Sequence, residues 1–304
     1  MLLFLACLCS FMPYAQGQTN ATSADTNNIS YQRQLKDYRS GIKNYAQMPK
    51  LARAAFASKD TSMAKKVADD YINNYLADQP TNSIFTKSNI DFIQSFWSQV
   101  HYGSKIYEVF INQSAKVDSC RSQPGFSKRI TTWILNADIQ SAIAAQLAVS
   151  DSTKEPNWKS INMIVEQKYG KASVTKNMVD ARIKWYYAHR QWQQIGEWTI
   201  KKIDLFGLDT VGMARVYFNN SIYLTFVLHN QELQYYGKAA FYLKQVVDNH
   251  PSDFQMVDTY ACLLYKMGAV KEALSWEKKA VKLSNNQQGL VETFNKMKNG
   301  QKIN

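Results

Sequence analysis

Ala239 and Ala273 stand 34 residues apart, and the same register pairs Val246 with Ala280, Val247 with Val281 and Pro251 with Asn285. A period of this length holds two short helices and their turns. Such a unit cannot bury its apolar face alone, so a chain that carries it is driven to stack one unit on the next. The second copy, from Thr259 to Leu283, carries the pattern most fully. Gly268 falls in the turn between its helices, Ala261 and Ala273 let the pair approach closely, and Ala280 leaves room for the following unit. Two positions depart from the usual pattern: Glu277 stands where an aromatic is common, and Asn285 stands where Pro is common. The copy before it is degenerate in its first helix.

The length is that of the tetratricopeptide repeat, and the rest of the chain follows related grammar. Only 12 Gly and 6 Pro occur in 304 residues, which suits helices better than the turn-dense sequences of sandwiches and barrels. Leu35, Tyr38, Ile42 and Tyr45 make one apolar stripe before Pro49. Pro49 can open a helix containing Leu51, Ala52, Ala55 and Phe56, because its missing N–H costs little in a first turn. After the polar break 58–61, Met63, Val67 and Tyr71 with Ala64, Ala68, Ile72 and Tyr75 form another helical face. Ser88 or Asn89 is the expected N-cap of a helix burying Ile90, Ile93, Phe96, Trp97 and Val100. A long Ala- and Ile-rich helix is expected from Ile130 to Val149, apolar on much of its surface, followed by a polar break at 151–156. Tyr186 to Trp198 has the same rhythm of helix, tight turn and helix with poorer residues.

The N-terminus points to export. Residues 2–9 form a short apolar block, and Ala15-Gln16-Gly17 precedes a polar run from Gln18 to Ser30, the layout of a secretory signal and a linker. No Lys or Arg precedes the block, as a start lying further upstream would produce. Six residues before Cys7 are too few to suggest a lipid anchor there. No other segment approaches the roughly 20 apolar residues that span a bilayer. Cleavage near residue 17 would leave Cys120 and Cys262, expected as separate packing thiols. The formal charge of +12 stays wholly with the mature chain and favours encounter with acidic surfaces.

No catalytic site, cofactor or metal is expected. His101, His189, His229 and His250 fall in no zinc-binding spacing, and neither a P-loop, a G-x-G-x-x-G nor a G-x-S-x-G occurs. The neighbouring carboxylates Asp69 and Asp70 point about 100° apart on a helix, which is weak support for an acid/base pair. The best candidate for binding lies in Arg182 to Lys202, where Trp185, Tyr186, His189, Arg190 and Trp192 combine aromatic surface with positive charge. Core filling is the competing role of those aromatics. A basic groove for stacked bases would be a third role, set against by export.

The stretch Asp258 to Gly268, with Glu272-Ala273 and Lys279-Ala280-Val281, resembles the C-terminal helical half of a family of exported bacterial thioredoxin-like proteins. Phe85 to Ile93, Lys116-Val-Asp118 and Pro124-Gly125 are similar to that half as well. The resemblance covers roughly 31–290. It implies a thioredoxin domain with a Trp-Cys-x-x-Cys site ahead of the helices, and this chain contains no C-x-x-C, so no redox activity carries over.

The expected fold is all-α, an α-solenoid of roughly eight helical hairpins with TPR-like repeats at the C-terminus. Its expected divisions are a signal peptide over 1–17, a linker over 18–30, helical hairpins over 31–150, degenerate repeats over 157–218, TPR-like repeats over 219–290 and a tail over 291–304. The expected function is a non-catalytic protein-binding or scaffold module, periplasmic or otherwise exported. Its partner would be a protein or peptide, acidic in character, with no nucleic acid and no transmembrane segment. The other reading is an accessory in thiol redox or folding of exported proteins.

Overall fold

The structure, a computed structural model, describes residues 31–149, 155–229 and 233–303. The expected signal peptide and linker and most of the 151–156 break lie outside the described residues. Among the described residues every regular element is helical and no strand occurs. None of these helices is long and apolar enough to cross a membrane. The chain divides within its longest helix into two units, Met1–Ile134 and Leu135–Asn304.

The first unit begins with α1 (31–39), which stops at Gly41 in the left-handed region (φ 89°). The stripe read through Ile42 therefore ends early, and Ile42 is 63% exposed. Helix α2 (Met48–Ala57) opens on Pro49 and buries Leu51, Ala52 and Ala55, whereas Phe56 turns outward. Asp60 caps α3 (Thr61–Asp69) by accepting from the Met63 N–H at 3.0 Å. This helix widens into a π-helical segment, Asp70–Tyr75, and tightens into a 3-10 turn, Leu76–Asp78. Helix α4 (Lys87–Ser95) starts earlier than expected, because Thr86 accepts from the Asn89 N–H and so takes the capping role read at Ser88 or Asn89. The unit continues through α5 (Lys105–Asn112), α6 (Ser114–Ser119) and the first part of α7 (Phe126–Val149).

One buried carboxylate organises the polar interior of this unit. Asp70 accepts from Lys43 Nζ at 2.7 Å, from Tyr38 Oη at 2.6 Å and from Asn74 Nδ2 at 2.6 Å. Burial by itself would raise the Asp70 pKa, but these three donors outweigh it and hold the carboxyl below its usual range.

The second unit runs through α8 (Trp158–Tyr169), α9 (Lys171–Ala188), α10 (Trp192–Phe206) and α11 (Met213–Ile222), which passes into a π-helical segment, Tyr223–His229. It ends with α12 (Tyr236–Asn249), α13 (Phe254–Lys266), α14 (Val270–Leu283) and α15 (Gln288–Lys298). Helices adjacent in sequence pack on each other: α8 on α9, α9 on α10, α12 on α13, α13 on α14 and α14 on α15. The turn glycine of the best repeat behaves as its place requires, Gly268 having φ 83° between α13 and α14. Ala261, Ala273 and Ala280 are fully buried, so small side chains do stand where these helices meet. Gly196 performs the same service for α10. A Cβ there would meet Phe226 Cζ at 3.0 Å and Thr225 Cγ2 at 3.1 Å.

Two clusters of buried side chains fill the unit. Leu135, Ile139 and Ile143 of α7 pack with Trp158 and Ile161 of α8 and with Val174, Met178 and Trp185 of α9. Val246, Val247, Val257, Leu263 and Leu264 belong to the second cluster, which extends from α10 to Ile303. Each such aliphatic side chain, moved wholly out of water, contributes about 1.5–3 kcal/mol before chain entropy is set against it. Counting back 34 positions from the start of α13 reaches the end of α11 and the π-helical segment that follows it.

Candidate functional site

The candidate binding residues fall on both sides of the turn between α9 and α10 and do not form one surface. Trp185 and Tyr186 are buried, their rings 5.4 Å apart and edge to face, and both pack against Trp158. Tyr186 donates to the Glu155 carboxylate, and burial with that negative partner pushes the phenol pKa up. His189 is exposed at the end of α9, its ring stacked on Trp185 at 3.9 Å and its Nδ1 hydrogen-bonded to the Trp185 carbonyl at 2.8 Å. Arg190 is exposed in the turn with φ 54°. Trp192 is half-buried, stacked on His229 at 4.1 Å. The stretch thus supplies core on one helix and turn surface beside it.

A concave surface is built by residues of the same two helices on either side of that stretch together with α8. Met163 of α8, Met178, Val179 and Arg182 of α9, and Trp198, Lys201 and Leu205 of α10 line a groove, with Lys159 at its rim. Met163 and Leu205 are 62% and 52% exposed, which is costly for large apolar side chains brought together by packing. Trp198 carries cations on its ring: the Arg182 guanidinium lies 4.3 Å from the ring centre and the Lys201 ammonium 4.2 Å. Burial pulls the Arg182 pKa below its usual value, and its Nε has no hydrogen-bond partner. No carboxylate is among the lining side chains. Arg182 and Trp198 lie in the aromatic and basic segment 182–202 that the sequence singles out. The contribution of α8 is not legible there, because the spacing of Met163 within α8 does not reveal which helix stands opposite.

A second arrangement sits deep between α13 and α14. Asp258 and Cys262 are one turn apart on α13 and Glu277 comes from α14, and their ligand atoms all lie within 4.8 Å of one another. Cys262 and Glu277 are buried, Glu277 completely. The Cys262 thiol donates to Asp258 Oδ1 at 3.7 Å. Neither Glu277 oxygen has a hydrogen-bond partner. Burial first, and then the neighbouring charge of Asp258, push the Glu277 pKa up to about 9. Burial raises Asp258 to about 6. The Cys262 thiol is pushed well up by burial and by both carboxylates. Tyr223, on the π-helical segment packed against α13, is raised to about 12, chiefly by burial and then by the charges of the same three groups.

Two carboxyls this close and this dry cannot both ionise without strong repulsion, so one proton stays with the pair. The signal in the sequence was Glu277 itself, an acid at a packing position. Cys262 was read as a packing thiol, and it is buried and free, as Cys120 is half-buried and free. No known protein family, curated protein or solved structure matches this chain.

Proposed function

We propose that this chain is a non-catalytic protein-binding module of the cell envelope, which receives an acidic, apolar-faced segment of its partner in the groove formed by α8, α9 and α10. The observation that carries the reading is Trp198, with the cations of Arg182 and Lys201 over its ring and the exposed Met163 and Leu205 lining the same groove, on a surface lined by no carboxylate. Aromatic side chains and arginine at the centre of an apolar groove are what helical ligands use as anchors, and the cations around them select an acidic partner. The hairpins α9–α10 and α13–α14 are read as units of an α-solenoid, the last of them TPR-like. Placement in the envelope rests on residues 2–17. The formal charge of +12 supports an acidic partner in encounter.

The accessory role in thiol exchange needs a reactive thiolate. Cys262 is buried with its pKa raised, and the half-buried Cys120 thiol donates to the Phe85 carbonyl at 3.2 Å, so the binding role has the better support.

The test is a titration with an amphipathic peptide bearing Glu on one face and Leu at i, i+3, i+4 and i+7, followed by Trp fluorescence. Lys159→Glu with Lys201→Glu is expected to weaken binding by roughly tenfold or more, and added salt to weaken it in the wild type. Equal capture of peptide and of envelope-extract proteins by wild type and double variant would sink the reading.

A further inference from the structure

We propose that Asp258, Cys262 and Glu277 form a site for a divalent cation of the zinc class, joining α13 to α14. The site goes beyond the groove and is independent of it. Three observations carry it together. The ligand set is one sulfur and two carboxylate oxygens within 4.8 Å of one another, two from successive turns of one helix and one from the helix packed across it. The separation of Cys262 Sγ from Asp258 Oδ1 is 3.7 Å. Two such atoms bound to one tetrahedral zinc at ordinary bond lengths stand about 3.5 Å apart, so little movement is needed on that edge.

The third observation concerns Glu277 alone. Its side chain is 0% exposed and both of its oxygens lack a donor. Buried polar atoms in folded proteins are almost always satisfied, and a carboxylate is among the costliest groups to leave without a partner. A proton held between Glu277 and Asp258 serves one oxygen. A cation would draw Glu277, Asp258 and the thiolate into its coordination shell at once.

The donor set selects among cations. Calcium seeks six to eight oxygens and magnesium near-octahedral oxygen coordination, and neither favours a thiolate. Zinc accepts sulfur and carboxylate oxygen together in a tetrahedron. Three protein ligands would leave one position of a tetrahedral ion for water.

The test uses the full chain with Cys7→Ser, Cys9→Ser and Cys120→Ser, so that Cys262 is the sole thiol. After chelator treatment the protein is titrated with Cd²⁺, and the thiolate-to-cadmium charge-transfer absorption is read in the ultraviolet; a Cys262→Ala version supplies the blank. One equivalent of Cd²⁺ is expected to saturate the band, Zn²⁺ to displace it, and either ion to raise the Tm. Glu277→Gln keeps the volume of the side chain, and with Asp258→Asn it should lower the affinity by roughly 100-fold, at or beyond the upper end of what supporting-residue changes cost. Helical circular dichroism checks that each variant folds. If one of these two does not fold, the other decides. Absence of the band at saturating Cd²⁺, or an unchanged affinity in a folded Glu277→Gln or Asp258→Asn, overturns the proposal and leaves a carboxyl pair that shares a proton.

Discussion

Asp70 in the first unit and Glu277 in the second are both carboxyl groups buried among helices, and their surroundings differ in kind. Asp70 meets an ammonium, a phenol and an amide, all within 2.7 Å, and its pKa is lowered. Glu277 meets another carboxyl and a thiol, has no donor beyond the proton it shares with Asp258, and its pKa rises to about 9. Burial is the largest single influence on both and acts in the same direction. What differs is whether the fold supplies donors, and that decides whether a buried acid is a strut or a liability held for some other purpose.

The largest effects should come from deleting each acid. Asp70→Leu takes the acceptor from the buried Tyr38 hydroxyl and from Asn74, while the ammonium of Lys43, 37% exposed, can turn to water, so the change should cost about 2 kcal/mol in chemical unfolding. Glu277→Leu, in metal-free protein at neutral pH, should go the other way and stabilise by about 1 kcal/mol, since it replaces an unsatisfied acid with apolar bulk. Equal signs for the two variants would break the comparison.

A smaller effect separates the two acids by pH. The folded pKa of Asp70 is depressed, so its contribution is complete above the unfolded value near 3.9 and is lost as pH falls through the folded one. Glu277 behaves oppositely. The folded chain keeps a proton up to about 9 that the unfolded chain releases near 4.3, so stability falls as pH rises across that window, and Asp258 adds to the fall up to about 6. Thermal melts of metal-free protein from pH 5 to pH 9 should show a falling Tm, and Glu277→Gln should flatten it. A wild-type Tm constant over that range would remove the raised Glu277 from the account.

The smallest effect sharpens the first region alone. Tyr38→Phe removes one of the donors to Asp70 and should cost about 1 kcal/mol, read as a lower denaturation midpoint at unchanged slope. No change would mean that Lys43 and Asn74 suffice.

The helices themselves were largely legible in the sequence, because apolar spacing and punctuation are local properties. Pro49 opening α2, the break before α3, the turn at Gly268 and the long α7 all follow from neighbours a few residues away. The errors are local too. Thr86, Ser88 and Asn89 compete as caps within one turn, and the winner is the hydroxyl that reaches the Asn89 N–H. The sites were less legible. Trp185 and Tyr186 read as a possible surface because a run of aromatics does not state its phase, and α9, packed between α8 and α10, buries both of these successive side chains. Glu277 was visible as an anomaly, yet its meaning depended on Asp258 and Cys262, and a meeting across two helices is not written in the spacing of either.

The π-helical segments, Asp70–Tyr75 and Tyr223–His229, each begin at one of the polar residues compared above or beside them, Asp70 and Tyr223. A wide turn of this kind takes in an extra residue, and one residue rotates everything after it by about 100° on a regular helix. Any comparison at fixed spacing therefore changes phase across 223–229. If the 34-residue register is a true repeat, aligning its two halves with a one-residue gap across 223–229 should raise their similarity, and no gain there would leave the register without kinship behind it.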